Sequence, residues 1–352
     1  MSLIPQSLKE SRFAKWSLKY GAYFVRELVV LFLLIFSINN YLEKPDSRIG
    51  NADGLGYYDY LPSIFIRQDL ARKDNVIQEN DSLYRFVTDD KRQGIYVPYK
   101  DYVVNKYPIG TSMLQFPFFY TELMLGTYDK EGLTGLESPF QTAVYHSVLF
   151  YFFLSLIFLR LVLKEFEVNN WMIFFIQLLI ALGTNSIYYI NYDASFSHIY
   201  SLFAINAFLF FTIRYFKVQN LKYFLLACLA FGFIANIRQV NVIVVLALPF
   251  LAGSWPVLKS GFLNVFKRPK FLALGLGTFL LIVAVQLYVW YLQTGDWLVY
   301  SYQNESFDFA NPHFIEILFS YKKGLFVYTP IAFLAFVSIT WFIKKEKRFI
   351  FW

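Results

Sequence analysis

A carboxylate among glycines follows the first long apolar run of the chain. Residues 51–62 read Asn-Ala-Asp-Gly-Leu-Gly-Tyr-Tyr-Asp-Tyr-Leu-Pro, with Asp53 and Asp59 as the two acids and Tyr57 and Tyr58 between them. Glycines allow a tight turn, so Asp53 could point back at a membrane surface and take a proton from an acceptor hydroxyl. The alternative is a structural Asx turn before a helix that begins near Tyr57. Either acid is a candidate base.

Two isolated cations are candidates for binding a phosphate. Lys106 lies in Asn-Lys-Tyr-Pro-Ile-Gly, which opens another apolar segment, and Arg238 lies between two apolar runs, three residues before Asn241. A lysine at the level of the lipid headgroups can neutralise a phosphate, and the planar fork of arginine matches phosphate geometry. The alternatives are snorkelling of Lys106 at the interface and an ordinary polar turn of a helical hairpin at Arg238.

Two further polar segments lie beside apolar runs. Asp193 and His198 fall in residues 191–198, where an ionisable side chain at membrane depth indicates function by default; a solvated helix end is the alternative. Lys322 and Lys323 precede the last apolar run. Lysines on an outer face oppose the usual charge bias, which favours contact with an anion. The chain has only three histidines, without metal-binding spacing, so a histidine metal site is not expected.

The elements that must position these residues are membrane spans. The 352 residues are 57% hydrophobic, 21% aromatic and only 16% charged, with a mean hydropathy of +0.42. Apolar runs of about 20 residues are long enough to cross a bilayer as helices. Basic residues flank these runs, so the net charge of +7 indicates topology rather than nucleic-acid binding. The single cysteine, Cys228, cannot form an intramolecular disulfide or a thiolate metal site.

Loop charges predict how the spans are threaded. Residues 23–41 follow a basic segment and are expected to form an uncleaved first span with a cytoplasmic N-terminus. The later spans are expected at about 140–163, 171–190, 199–216, 223–237, 241–257, 271–292 and 324–343. Residues 109–125 contain Pro117 and are predicted to form a juxtamembrane or re-entrant helix, because a span there would move four basic clusters outside.

The predicted fold is an all-α polytopic membrane protein with about eight transmembrane helices. Residues 1–22 form a cytoplasmic N-terminus, 23–42 the first transmembrane helix, 43–139 an extracytoplasmic loop with juxtamembrane helices, 140–343 the transmembrane helices 2–8, and 344–352 a basic cytoplasmic tail. This threading places nearly every candidate site residue on the outer face, where loops on a rigid scaffold commonly carry function.

The order of these motifs resembles the GT-C superfamily of membrane glycosyltransferases, which includes protein O-mannosyltransferases, lipid A aminoarabinose transferases and uncharacterised bacterial relatives. The resemblance covers essentially the whole chain. Its motifs are, in order, the acid at Asp53, the Lys-Tyr-Pro-x-Gly of Lys106 to Gly110, the acid at Asp193, the Arg-x-x-Asn of Arg238 to Asn241, and the Gly-x-x-x-x-x-Pro of Gly324 to Pro330.

The sequence also departs from the pattern of that superfamily. Many relatives have an Asp-Glu pair in the first loop, whereas Asp53 is followed by Gly54. Several relatives have more spans or a C-terminal soluble domain.

The resemblance implies transfer of a sugar from a polyprenyl-phosphate donor to a lipid, glycan or protein acceptor at the outer face of the plasma membrane, with inversion. Asp53 or Asp59 would be the base, with Asp193 as a further catalytic acid. The leaving phosphate would be held by cations, which stabilise developing charge. The implied substrate-binding residues are Tyr57, Tyr58, Lys106, His198, Arg238, Asn241, Lys322 and Lys323.

The implied partners are the lipid-phosphate-linked donor and membrane lipids, and no nucleic acid. A divalent cation, Mg or Mn, is compatible with Asp53, Asp59 and Asp193, although no metal ligand is assigned.

Other classes of protein remain open from the sequence. A transporter or flippase of a lipid-linked saccharide predicts charges buried within the spans, whereas the apolar runs are almost free of charge between their ends. A non-catalytic assembly subunit would tolerate loss of Asp53. An O-antigen-type ligase or polymerase would depend on a large late loop, but the largest loop here comes first.

Overall fold

The chain is predominantly helical. The structure, a computed structural model, describes residues 12–45, 47–49, 53–70, 95–100, 102–128, 132–302, 310 and 312–345. The helices are α1 Arg12–Tyr41, α2 Asp53–Tyr58, α3 Tyr60–Pro62 (continued by a π-helical turn, Ser63–Arg67), α4 Gly110–Leu125, α5 Ser138–Glu165, α6 Asn170–Leu182, α7 Ser186–Asn191, α8 Ser197–Val218, α9 Leu221–Ile237, a 3₁₀ helix Gln239–Ala247, α10 Leu248–Ala252, α11 Trp255–Phe266, α12 Pro269–Thr294, α13 Phe314–Phe319, α14 Leu325–Tyr328 and α15 Pro330–Lys345.

Three of the described helices are long and apolar enough to cross a membrane: α5, α8 and α12. The segments Gln239–Ala252 and Trp255–Phe266 together meet the same criterion as a fourth, bent by 120° at the break between them. A helix of about 20 apolar residues matches the hydrocarbon thickness of a bilayer. These helices give the chain the character of a helical membrane protein.

Three of the expected spans are interrupted, and one of them, 324–343, breaks at Thr329 between α14 and α15. The expected span 171–190 ends as α6 at Leu182, because the polar run after Gly183 opens the helix before α7 resumes. The expected span 241–257 is a 3₁₀ helix followed by α10, and the chain turns sharply at Gly253, which has a φ of 73°. Left-handed backbone is easily adopted by glycine, and Pro256 then starts α11 in a new direction.

The helices pack in a row with α8 near its centre. Helix α8 lies against α5 and α9, and α9 in turn lies against α12, while α4 crosses α5 and α9. Phe152 and Leu156 of α5, Tyr200 of α8 and Ile234 of α9 are all buried in one cluster. This row fixes the ends of α8, α9 and α12 relative to each other.

The first loop contains a small sheet that an all-α prediction omitted. Strand β1, Tyr96–Tyr99, pairs antiparallel with β2, Tyr102–Asn105, in the register Tyr96 opposite Asn105. Both strands are rich in tyrosine and valine, which favour pleated structure, and they are too short to give a strong alternating pattern. The hairpin lies against α12 and leads directly into the turn that precedes α4.

A buried ion pair joins α1, α5 and α6. Glu27 is 0% exposed, and its Oε1 lies 2.8 Å from Nε of Arg160. The side-chain amide of Gln177 donates to the same oxygen at 2.9 Å. Arg160 is buried near the C-terminal end of α5, and the carboxylate of Glu27 on the neighbouring helix compensates its burial.

Candidate functional site

The predicted base, Asp53, begins α2 and is held by a tyrosine from a distant segment. The hydroxyl of Tyr107 donates to Oδ1 of Asp53 at 2.6 Å. Tyr107 belongs to the Lys-Tyr-Pro motif, between β2 and α4. Burial and the hydrogen bond to Asp53 both raise the pKa of Tyr107 far above its ordinary value, so this hydroxyl stays protonated and continues to donate.

Asn105 supports this arrangement from the end of β2. Its side-chain amide donates to the carbonyl of Gly56 in α2 at 2.7 Å, and its Oδ1 accepts from the backbone N–H of Tyr107 at 3.0 Å. The ring of Tyr107 in turn lies 4.8 Å from that of Tyr57. The first loop is thereby fastened to the turn that carries Lys106.

Gly54 explains how Asp53 comes to lie beside the second acidic motif. A Cβ at this position would fall 2.4 Å from the carbonyl oxygen of Ile49 and 2.5 Å from Oγ of Ser195, which is closer than atoms can approach. The hydroxyl of Ser195 donates to that same Ile49 carbonyl. Only glycine permits this close approach of two backbones, and it places α2 directly against the turn that carries Asp193.

Gly110 allows a similar close approach between α4 and the segment that carries Arg238. A Cβ there would lie 2.3 Å from the carbonyl carbon of Asn236 and 2.5 Å from the backbone nitrogen of Ile237. The N-terminus of α4 therefore rests on the last turn of α9. Arg238 follows at once with an extended backbone, φ −159° and ψ 109°, which ends α9 and leaves the side chain exposed.

Charges of both signs act on the same small region. We call Asp53, Tyr57, Asp193, His198 and Arg238 the Asp53 cluster. The pKa of Tyr57 is raised, mainly because the side chain is buried. A hydrogen bond with Ser197 and the positive charge of Arg238 lower this pKa, whereas the negative charge of Asp53 raises it. Both charged groups therefore lie in the neighbourhood of Tyr57, since such interactions weaken with distance.

The second acid of the cluster is close enough to feel the first. Burial raises the pKa of Asp193, a hydrogen bond from Tyr188 lowers it, and the nearby charge of Asp53 raises it. The ring of His198 stacks on the ring of Tyr189, with centroids 3.9 Å apart. This stacked pair gives the cluster an aromatic wall beside its two carboxylates.

Lys106 lies at the edge of the cluster and contacts the late loop. Its Nζ lies 5.8 Å from the centre of the Tyr107 ring and 5.2 Å from that of Tyr302. Its carbonyl accepts from the hydroxyl of Ser301 at 2.8 Å. The cation is therefore adjacent to the tyrosine that holds Asp53.

The other acid of the first loop is part of a separate buried network. Asp59 is 2% exposed, and its Oδ1 lies 2.8 Å from a guanidinium nitrogen of Arg67. Its Oδ2 accepts from Ser63 at 3.2 Å and from the hydroxyl of Tyr96. These contacts fix the turn after α3 to the hairpin, and they leave the half-buried Asp53 as the more accessible acid of the motif.

The remaining predicted residues are Tyr58, Asn241 and the two lysines of the late loop, of which Asn241 stays next to Arg238 because its backbone N–H donates to the Arg238 carbonyl at 2.9 Å. Tyr58 is fully buried, and its hydroxyl donates to the carbonyl of Gly135 at 2.6 Å. Asn241 donates to the hydroxyl of Ser201 in α8 at 3.0 Å, which ties the 3₁₀ helix to that span. Lys322 and Lys323 are exposed in the turn between α13 and α14.

Sequence reasoning missed three participants. Tyr107 holds the predicted base, Asn105 holds Tyr107, and Tyr189 stacks on His198. The first two stood within the Lys-Tyr-Pro motif, and the nearness of Tyr107 to Asp53 depends on a contact between segments 54 residues apart. Among the residues that the structure describes, no three His, Cys, Asp or Glu side chains gather around a cation position.

Comparison of this chain with models of known families, with curated proteins and with solved structures gives no match.

Proposed function

We propose that the protein is a glycosyltransferase that moves a sugar from a polyprenyl-phosphate donor to an acceptor hydroxyl at the outer face of the plasma membrane. The supporting observation is the close packing of the three distant segments that carry Asp53, Asp193 and Arg238, in which Gly54 lies against Ser195 and Gly110 lies against Asn236. A carboxylate beside cations suits a substrate that has a lipid tail, an anionic phosphate and a polar sugar.

In the proposed reaction Asp53 is the general base. Oδ1 is engaged by Tyr107, so we assign proton acceptance to Oδ2. The acceptor O–H proton moves to this oxygen while the acceptor oxygen bonds to the anomeric carbon and inverts it. The bond from that carbon to the phosphate oxygen breaks, and its electron pair leaves on the phosphate. Arg238 and Lys106 neutralise the leaving group, since fixed cations stabilise charge that develops in the transition state.

The proposed threading completes this assignment. Eight spans with both termini cytoplasmic, as the loop charges indicate, place the Asp53 cluster on the outer side. The interrupted spans are compatible with it, because irregular backbone at membrane depth is tolerated where protein surrounds it or a cavity adjoins it.

The chemistry of the site also accommodates a divalent cation. Mg²⁺ is commonly bound by one or two carboxylates together with substrate phosphates, and Asp53 and Asp193 would be those carboxylates. When bound, such an ion would add positive charge at the phosphate.

The proposal is tested by transfer from a defined donor. Purified protein in lipid nanodiscs is incubated with radiolabelled polyprenyl-phosphate hexose and lipid extract from its own membranes, and label transferred to the extract is counted. We expect Asp53→Asn to reduce the rate by about 10²- to 10⁴-fold, the usual contribution of a general base. Asp296→Asn, which removes an exposed carboxylate paired with Lys100, is the matched control and should retain activity.

A specific observation favours flippase activity as a second candidate. The apolar runs were expected to be almost free of charge between their ends, but Glu27 is a buried carboxylate in α1. Ionisable groups inside a membrane often mark transport pathways. A flippase would move the intact lipid-linked sugar across vesicles and would release no free polyprenyl phosphate, whereas a transferase releases it with each turnover.

A further inference from the structure

A second binding region lies at the opposite end of the bundle from the Asp53 cluster. The cluster involves the N-terminus of α8 and the residue that ends α9. A cavity of about 340 Å³ lies instead between the second half of α8, α9, α11 and the first half of α12, with Val245 and Leu248 also on its wall. Its lining begins at Phe208, so about the first half of α8 separates it from the proposed catalytic site.

The walls of this cavity are apolar. They include Phe216, Phe224, Ala227 and Cys228. Leu272, Leu276 and Phe262, which are among the exposed large hydrophobic residues, also line it, so the cavity reaches the lateral surface of the bundle. Since a methylene group occupies about the volume of a water molecule, ~30 Å³, the cavity holds on the order of ten methylene groups of a hydrocarbon chain.

A cation lies at one rim of the cavity. The guanidinium of Arg268 lies 5.2 Å from the centre of the Phe271 ring, which stacks on the wall residue Phe224 at 6.4 Å. Arg268 also acts electrostatically on Tyr215, another wall residue. Among the described residues no carboxylate pairs with Arg268.

Arg214 brings a second guanidinium to the same end of the bundle. It precedes Tyr215 in α8, and it shares the single carboxylate of Glu165 with Lys217. One acid thus serves two cations there, and positive charge remains in excess at the level of the lipid headgroups.

We propose that this cavity binds one acyl chain of an anionic glycerophospholipid, with the lipid phosphate held by Arg268 and Arg214. The dry, apolar walls select a hydrocarbon chain, because burial of apolar surface drives its entry. The excess of positive charge at this end of the bundle selects a negative headgroup over a zwitterionic one. The inference depends on the helices spanning a membrane and is independent of sugar transfer.

Cys228 provides a direct readout of occupancy, because it lies on the cavity wall and is the only cysteine in the chain. Purified protein in detergent is treated with N-ethylmaleimide in the presence of phosphatidylglycerol or of phosphatidylcholine with identical acyl chains. At a free lipid concentration about ten times the dissociation constant, phosphatidylglycerol should slow labelling about tenfold. Phosphatidylcholine should slow it much less.

Variants separate the headgroup from the tail. The double variant Arg214→Gln/Arg268→Gln should remove the difference between the two lipids, whereas Lys100→Gln, at the other end of the bundle, should preserve it. Circular dichroism establishes that each variant is folded. Equal protection by both lipids in the wild-type protein would overturn the proposal. Protection by polyprenyl phosphate without protection by phosphatidylglycerol would also overturn it, by identifying a different occupant.

Discussion

The buried pair of Glu27 and Arg160 permits a prediction that does not depend on the proposed activity. The two charges are 2.8 Å apart, and both side chains are at least nine-tenths buried. At an effective dielectric constant near 20 their attraction is about 6 kcal/mol, most of which offsets the cost of removing them from water. If one partner is removed, the other remains as an unpaired buried charge. Arg160→Gln should therefore lower the free energy of unfolding by about 3–5 kcal/mol.

A double-mutant cycle tests this reasoning. Glu27→Gln removes the carboxylate that Arg160 needs, and the combined variant Glu27→Gln/Arg160→Gln removes both charges at once. We therefore expect the double variant to be more stable than Arg160→Gln alone, with a coupling of about 2 kcal/mol. Unfolding is measured in detergent by heat and by titration with a denaturing surfactant. A double variant no more stable than Arg160→Gln would refute the account of this pair as a compensated ion pair.

Three further predictions concern the Asp53 cluster. Gly54→Ala should lower the free energy of unfolding by about 1–3 kcal/mol through overpacking. The control Gly277→Ala, whose Cβ would meet nothing within 4 Å, should not lower it. Thermal unfolding of the two variants makes the comparison. Arg238→Gln should reduce transfer by about 10²- to 10³-fold, with a smaller loss for Arg238→Lys, measured as donor turnover. Asp193→Asn should raise the melting temperature at neutral pH.

The sign of the Asp193 effect follows from its pKa. Burial, the hydrogen bond from Tyr188 and the charge of Asp53 together leave the pKa of Asp193 above its unfolded value. The protonated form therefore favours the folded state, and this contribution is complete below the unfolded pKa and lost as the pH rises through the folded one. Asp193→Asn should consequently stabilise the protein at neutral pH and make little difference in acid, whereas an unchanged melting temperature at neutral pH would contradict it.

The long helices could be predicted from the sequence because each depends on a local property. Apolar runs of sufficient length indicated α5, α8 and α12. The juxtamembrane helix α4 was expected at 109–125 and begins at Gly110 despite Pro117 within it. Interruptions were harder to predict, because hydropathy does not register a turn that needs only one glycine or proline, as at Gly253.

The geometry of the site could be predicted only in part. The motifs suggested which residues were candidates, but they did not distinguish Asp53 from Asp59, since the burial of Asp59 depends on Arg67 and on a hairpin that the sequence did not reveal. The buried ion pair of Glu27 could not be predicted for a similar reason. Its partner, Arg160, lies on another helix. No pattern in the sequence of either helix predicts a contact between residues so far apart in the chain.

The proximity of Asp53 and Arg238 requires both to emerge on one side of the bilayer, and side-specific labelling tests this most directly. In a Cys228→Ser background, single cysteines replace Lys100 on the hairpin, Gln239 beside Arg238, and Lys267 at the other end of the bundle. Intact cells are then treated with a membrane-impermeant maleimide. We predict that the cysteines at 100 and 239 react in intact cells and that the one at 267 reacts only after permeabilisation. Reaction of 100 and 239 from opposite sides would contradict the shared site.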